Sequence, residues 1–595
     1  MKQYTNRQEI DSKYKWDIED MYPGKDQMEE DLKASLQLAK EFASMEGSLT
    51  KDSKTLLKAL RLHDSLWQKA ERAYVYGHMK QDEDNRVEES QAMNSLAQTT
   101  IAKLSTLTSF ATPELLAAPD GLLLEYVEKE PELAMYRFYI ESLLREKDHI
   151  LSDAEERIMA QFSEVTPATN QIFTMLNNAD IDFGKITDEK GNQVELTHGN
   201  YIKFMQSQDE VLRKAAYERV YETYKSLINT IATAYSFNTK TDVVTARIRK
   251  YESSRAAALH GDNIPLSVYD NLVKAVHDNL PTMYRYMKLR KKLLHVDRLH
   301  MYDIYVPLIA LPERIIPYEE ALDMVRTGLA PLGEEYIANM NKGLASGWID
   351  VYENTGKTSG AYSFGSYDSK PYILLNYTET LQDVFTIVHE MGHSMHSFYT
   401  RESQPFVYGS HSIFTAETTS TVNENLLMKH LLATETHEEM IKYLINMHIE
   451  AFRTTVFRQT MFAEFEQKTH EKLEQGETLT PEGMSQMYAD LNKLYFGPDV
   501  VTDDLIRYEW ARIPHFYNAF YVYKYATGYS AATAISDLIL KNGTDNYIDF
   551  LRTGNSNYPI ELLKIAGVDM STKEPVDTAM KVFTKLVDQL EQLMG

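Results

Sequence analysis

The stretch Leu56–Lys80, LLKALRLHDSLWQKAERAYVYGHMK, repeats apolar side chains every three or four residues between charged ones, the spacing that buries one face of an α-helix. The same period dominates from about Lys25 to Met175, resumes from about Gly199 to Leu294 and returns after Tyr377. The chain is therefore expected to be mainly α. Two interruptions read as β-structure. Asp180–His198 (DIDFGKITDEKGNQVELTH) alternates around the turn-rich Asp188–Asn192, which predicts a hairpin. Between Gly347 and Tyr377, WIDVYEN alternates, a Gly/Ser/Thr stretch follows, and PYILLNY is a short apolar run; together these predict a small sheet. With no repeat and no flexible linker, the expected organisation is an N-terminal helical lobe over 1–195, ending in the hairpin, and a second domain over 196–595.

Composition removes several classes of function. The net charge of −25 opposes contact with phosphate backbones and anionic lipid, so no nucleic acid is expected as a partner. No run of apolar residues is long enough to cross a bilayer, and no membrane partner is expected. The polar opening MKQYTNRQEIDSKYKWDIED lacks the apolar core of a secretory signal, which places the chain in the cytoplasm as an expectation. The chain has no cysteine, so any metal must be held by His, Asp or Glu. No oligomeric state is assigned.

One short segment concentrates such residues. Thr380 and Asp383 have the spacing of a capping box, and LQDVFTIVHEMGHSMHSFY continues at helical spacing, predicting a helix over 380–400. On it His389 and His393 are separated by about 40° around the axis and about 6 Å along it, so both imidazoles can reach one ion. Glu390, turned away by about 100°, is placed to take a proton from a metal-activated water. His-Glu-x-x-His on a helix is the zinc metallopeptidase signature for these reasons. His396 lies about 10 Å along the axis from His389 and cannot share its ion. It is expected either to hydrogen-bond near the ligands or simply to pack.

A third ligand must then come from another segment. Glu402, in TRESQP, reads as a solvated acid in a turn. SIFTAETTSTVN (Ser412–Asn423) carries a single charge, Glu417, and a lone carboxylate there is expected to be partly buried and to need a cation. Its helix is expected over about 412–431. Glu424, seven residues on, reads either as a partner orienting a histidine ligand or as an ordinary surface acid. Gly392, which weakens a helix by about 1 kcal/mol relative to alanine, is expected to mark close approach of another backbone. The run Pro371–Tyr377 reads either as a strand that pairs with an extended peptide or as a buried core strand. Ile513–Tyr529 (IPHFYNAFYVYKYATGY) reads as an aromatic-rich helix whose His515 and tyrosines 517, 521, 523, 525 and 529 include possible oxyanion donors.

These segments resemble the thimet oligopeptidase family of zinc peptidases, and within it the oligoendopeptidase F branch. The resemblance is carried by HEMGHSMH (His389–His396), IFTAETTSTVNENLL (Ile413–Leu427), GAYSFGSYDSKPYILLNY (Gly360–Tyr377), RIPHFYNAFYVYKYATGY (Arg512–Tyr529) and YKWDIEDMYPG (Tyr14–Gly24). It implies a mainly helical, two-lobed zincin-type molecule with a deep channel and a small sheet beside the metal helix. It implies one zinc per chain held by His389, His393 and Glu417, with Glu390 as general base. His515 and Tyr523 are implied at the scissile carbonyl, with Tyr517 as a further contact. The implied activity is an intracellular zinc endopeptidase that cuts oligopeptides and excludes folded proteins. The rival readings are a peptidyl-dipeptidase and a zinc-stabilised peptide-binding protein without turnover.

Overall fold

The computed structural model describes residues 4–310 and 314–594. Its chain is 71% helical and divides into two compact units, each assembled from three chain segments. The first comprises 1–148, 313–431 and 535–568; the second comprises 149–312, 432–534 and 569–595. The hairpin near residue 195 lies within the second unit.

In the first unit the helices Lys25–Ala43, Ser53–Glu83 and Glu88–Thr108 pack side by side. Asp52 starts the middle one, its side chain accepting from the Thr55 N–H at 2.8 Å, and satisfies a backbone donor that the helix leaves unpaired. The periodic apolar residues Leu56, Leu60, Leu66, Ala70 and Ala73 are all buried. The same unit contains a three-stranded sheet. Its central strand Tyr372–Leu374 runs parallel to Ile349–Asp350 and antiparallel to Tyr362–Phe364. Tyr372, Ile373 and Leu374 are completely buried, so the strand has neighbours on both sides and both faces, as its unbroken apolar run requires. That leaves Tyr362–Phe364 at the edge. On the outer strand Ile349–Asp350, Asp350 is buried between Arg7 at 2.5 Å and Lys357 at 2.7 Å.

The second unit contains the hairpin, paired from Lys185↔Glu195 to Thr187↔Gln193, with Gly191 at φ 82° in the turn. Its long helices include Ile228–Ile248, Leu280–Leu293, Arg458–Glu474 and Pro481–Phe496. Ile513–Tyr529 is not one helix. Pro514–Tyr517 is a short 3-10 turn, Asn518 is extended, and Phe520 takes φ 54°; the α-helix begins only at Tyr523. Pro514 and the left-handed Phe520 both work against a continuous helix. Among the described residues no helix is long and apolar enough to cross a membrane.

Candidate metal centre

The helix Leu381–Ser403 starts at Thr380, whose hydroxyl accepts from Asp383 N–H at 3.2 Å while the Asp383 carboxylate accepts from Thr380 N–H at 2.9 Å. It runs through Glu402, which is exposed on its last turn rather than in a loop. The helix Ile413–Thr434 packs against it where the chain has glycine. A Cβ on Gly392 would lie 2.5 Å from Ser420 Cα and 2.8 Å from the Thr419 carbonyl oxygen, inside any permitted contact, so only glycine allows this approach. The two backbones are fastened nearby by Asn423, whose amide donates to the Val388 carbonyl at 3.3 Å.

This contact brings the candidate ligands together. His389 Nε2 is 3.5 Å from Glu417 Oε2, and His393 Nε2 is 3.8 Å from Glu417 Oε1. One donor atom from each of the three residues lies within 4.8 Å of the others. Donors about 2.0–2.1 Å from a tetrahedral ion sit roughly 3.3 Å apart, so this set fits a zinc-sized ion with little movement. The Glu417 side chain is 41% exposed. It is less buried than its uncharged surroundings suggested, and the group is open on one side, as a catalytic metal site must be. Glu424 lies 2.8 Å from His389 Nδ1, leaving Nε2 to face Glu417. Of the two readings of Glu424, the structure supports the orienting partner.

Glu390 is 7% exposed. Burial pushes its carboxyl up to about 7; His389 and a backbone hydrogen bond from Ser363 pull the other way, while Glu417 and Glu424 add to the rise. Burial lowers His389, but the bond and charge of Glu424 outweigh it and raise the imidazole to about 9. Burial, reinforced by His389, holds His393 down to about 3.

His396 lies three residues beyond His393 on the same helix, near enough for the His393 charge to act on it. Its ring is buried, stacks on His411 at 3.8 Å between centroids and lies 5.5 Å from Phe550. Its hydrogen-bond contact among the described residues is Thr419 Oγ1 at 3.5 Å, so packing is its main role. Sequence reading missed two neighbours. His411 lies in a loop without periodicity, and Ser363 reaches Glu390 through its backbone, which no side-chain pattern reveals.

The C-terminal donors are sorted by exposure in the second unit. His515 is exposed, with Nε2 3.4 Å from the Tyr525 hydroxyl and its ring stacked on Tyr521 at 6.1 Å. Tyr517 stacks on Phe173 at 4.5 Å with its hydroxyl buried. Tyr523, expected at the scissile carbonyl, is 0% exposed and packs 5.1 Å from the Tyr269 ring. Its phenol is buried, whereas the phenol beside His515 is that of the half-buried Tyr525.

A helical frame carrying a His/His/Glu group with a buried glutamate beside it defines a metallopeptidase class, and the comparisons agree. The profile of peptidase family M3 matches residues 203–582, and one described as Oligopeptidase F matches residues 114–183. The chain belongs to peptidase family M3. Within it the likeness is to the oligopeptidase F branch, for which the thimet oligopeptidase label is looser. Oligopeptidase PepF of Bacillus subtilis is 45% identical over 100% of this chain and 89% of its own length. Group B oligopeptidase PepB of Streptococcus agalactiae is 39% identical over 99% of this chain and 98% of its own. Among solved structures, a protein from Chlamydophila abortus aligns with TM-score 0.93 at 36% identity, covering 99% of this chain and 100% of that one. Oligoendopeptidase-F from Enterococcus faecium aligns with TM-score 0.75 at 36% identity, covering 96% and 99%.

Proposed function

We propose that this chain is a zinc-dependent endopeptidase that hydrolyses internal bonds of short oligopeptides, in the cytoplasm. The observation that carries the reading is the convergence of His389, His393 and Glu417 beside the buried Glu390, with Glu424 fixing His389 from behind. Zinc held by those three residues would lower the pKa of a water and polarise the scissile carbonyl. Glu390 takes the water's proton and delivers it to the departing amide nitrogen, a role suited to a carboxyl held near neutral pH. Among the described residues the edge strand Tyr362–Phe364 has one side without a strand partner, and it offers main-chain groups to an extended peptide. The buried central strand Tyr372–Leu374 is the core strand instead. The exposed His515 imidazole and the half-buried Tyr525 phenol are the pair suited to donate to a developing oxyanion.

The test is cleavage of a mixed oligopeptide pool, some members C-terminally amidated, followed by mass spectrometry. The native protein is expected to cut amidated peptides internally; removal of dipeptides from free C-termini alone would favour the peptidyl-dipeptidase reading. Glu390→Gln should keep its zinc and lose cleavage by at least about 10³-fold, and Tyr525→Phe should lower kcat by about 10²-fold. Undiminished turnover in the Glu390 variant would sink the mechanism.

A further inference from the structure

The first unit contains a cavity that the proposed chemistry does not use. It is about 490 Å³, within the size range of ligand sites, and lies between the helix Ser53–Glu83 and the segment that joins the two helices of the metal centre. Trp67, Tyr136, Tyr367 and Phe406 are among its aromatic walls, and Asp64 and Glu71 are its carboxylates. The two acids are seven residues apart on one face of the helix.

Each acid accepts one hydrogen bond from the protein. Asp64 Oδ2 accepts from the Tyr136 hydroxyl at 2.6 Å, and Glu71 Oε2 accepts from the Tyr367 N–H at 3.1 Å. Among the described residues each has no further hydrogen bond and no ion pair. Both acids are partly buried, and burial pushes both carboxyls up. Arg401 favours the Glu71 anion without pairing with it, while Asp368 opposes it. Two carboxylates among aromatic faces suit a cation on an aliphatic stem, with the stem against the rings and the charge between the acids.

We propose that this cavity binds the basic side chain, arginine or lysine, of an oligopeptide substrate at a position remote from the cleaved bond; this rests on the peptidase reading above. The cavity is built from the same elements as the metal centre. Tyr367 follows the edge strand whose Ser363 bonds Glu390, and Phe406 follows the helix bearing His389 and His393. From His393 to Gln404, where that helix ends, is about 16 Å at a helical rise of 1.5 Å per residue. An extended peptide covers this in about five residues, so the preferred substrates carry a basic residue about five positions from the scissile bond.

The experiment compares blocked peptides identical except for arginine or citrulline, its neutral near-isostere, about five positions to either side of the cleaved bond. In one of the two placements the native protein should show a KM about tenfold lower for arginine. The double variant Asp64→Asn/Glu71→Gln keeps acceptors for Tyr136 and Tyr367. It should lose that preference while its kcat on the citrulline peptide stays unchanged. Trp67 fluorescence gives a readout independent of activity: agmatine, an alkylguanidinium, should titrate it saturably in the native protein and not in the double variant. Equal KM for both peptides in both placements, or an arginine preference that survives in the double variant, overturns the proposal. So does agmatine binding without peptide preference, which would make the cavity a site for free amines. Failure to cut any peptide overturns the peptidase reading instead, with the agmatine titration still reporting on the cavity.

Discussion

At the scale of single residues, the metal centre depends on groups that never touch the ion. Glu424 holds His389 by Nδ1 at 2.8 Å, and such partners typically contribute 10- to 100-fold to metal affinity. Glu424→Gln should therefore weaken zinc binding by about 10- to 100-fold in chelator competition while the far-UV spectrum is unchanged; an unaltered affinity would reduce Glu424 to an ordinary acid. A second residue prediction concerns stability in acid. Burial raises Glu450, but Arg453 and Arg290 outweigh it and bring the carboxyl down to about 2, with Arg453 at 2.6 Å and Arg290 at 3.2 Å. Because the folded value lies below the unfolded one, the stabilisation is fully present above about pH 4.5 and lost as pH falls toward 2. The shift bounds it at about 3 kcal/mol, less for a side chain a quarter exposed. Denaturant melts across that window should show a shallower acid loss in Glu450→Gln than in the native protein.

At the scale of elements, what was legible in the sequence is what regular geometry determines. His389, Glu390 and His393 sit on one helix, so spacing alone placed them. Glu417 stood out because a lone charge in an uncharged helix needs a reason, and Gly392 because a helix tolerates glycine only at some cost. Where the backbone is irregular the reading failed. Pro514 and the left-handed Phe520 break the period between His515 and the tyrosines, so residue spacing no longer told that the phenol beside His515 is Tyr525 rather than Tyr523. His411 was missed for the same reason, since a loop has no repeating face. The Gly392 contact gives a test with opposed signs. Helix propensity alone predicts that Gly392→Ala stabilises the protein by about 1 kcal/mol, whereas a Cβ 2.5 Å from Ser420 Cα forces the helices apart at about 1–3 kcal/mol. The expected outcome is a lower Tm together with weaker zinc binding, because the helix that moves carries Glu417. A raised Tm with intact metal affinity would show that the two helices do not meet as described.

At the scale of the whole molecule, both units are discontinuous in sequence, and this was beyond local periodicity. A break near residue 195 is where helix gives way to hairpin, and pattern alone makes it attractive. Packing follows other lines. The first unit's core joins Trp16, Ile18, Met28, Val75 and Met79 to Tyr372 and Leu374 of the central strand, and the strand is followed directly by the helix bearing His389 and His393. A fragment spanning 196–595 keeps every proposed metal ligand but removes the N-terminal side chains that cover that sheet. With Tyr372 and Leu374 uncovered, the sheet loses the apolar burial that holds it, at about 25 cal/mol for each Å² exposed. The strand and the metal helix then lose their common support. The fragment is therefore expected to be aggregation-prone and to bind less than stoichiometric zinc, although its ligand set is complete; co-expression with 1–195 should restore both solubility and zinc content. A soluble 196–595 fragment that binds one zinc tightly by itself would instead establish the catalytic part as an autonomous domain, with the N-terminal helices as an accessory.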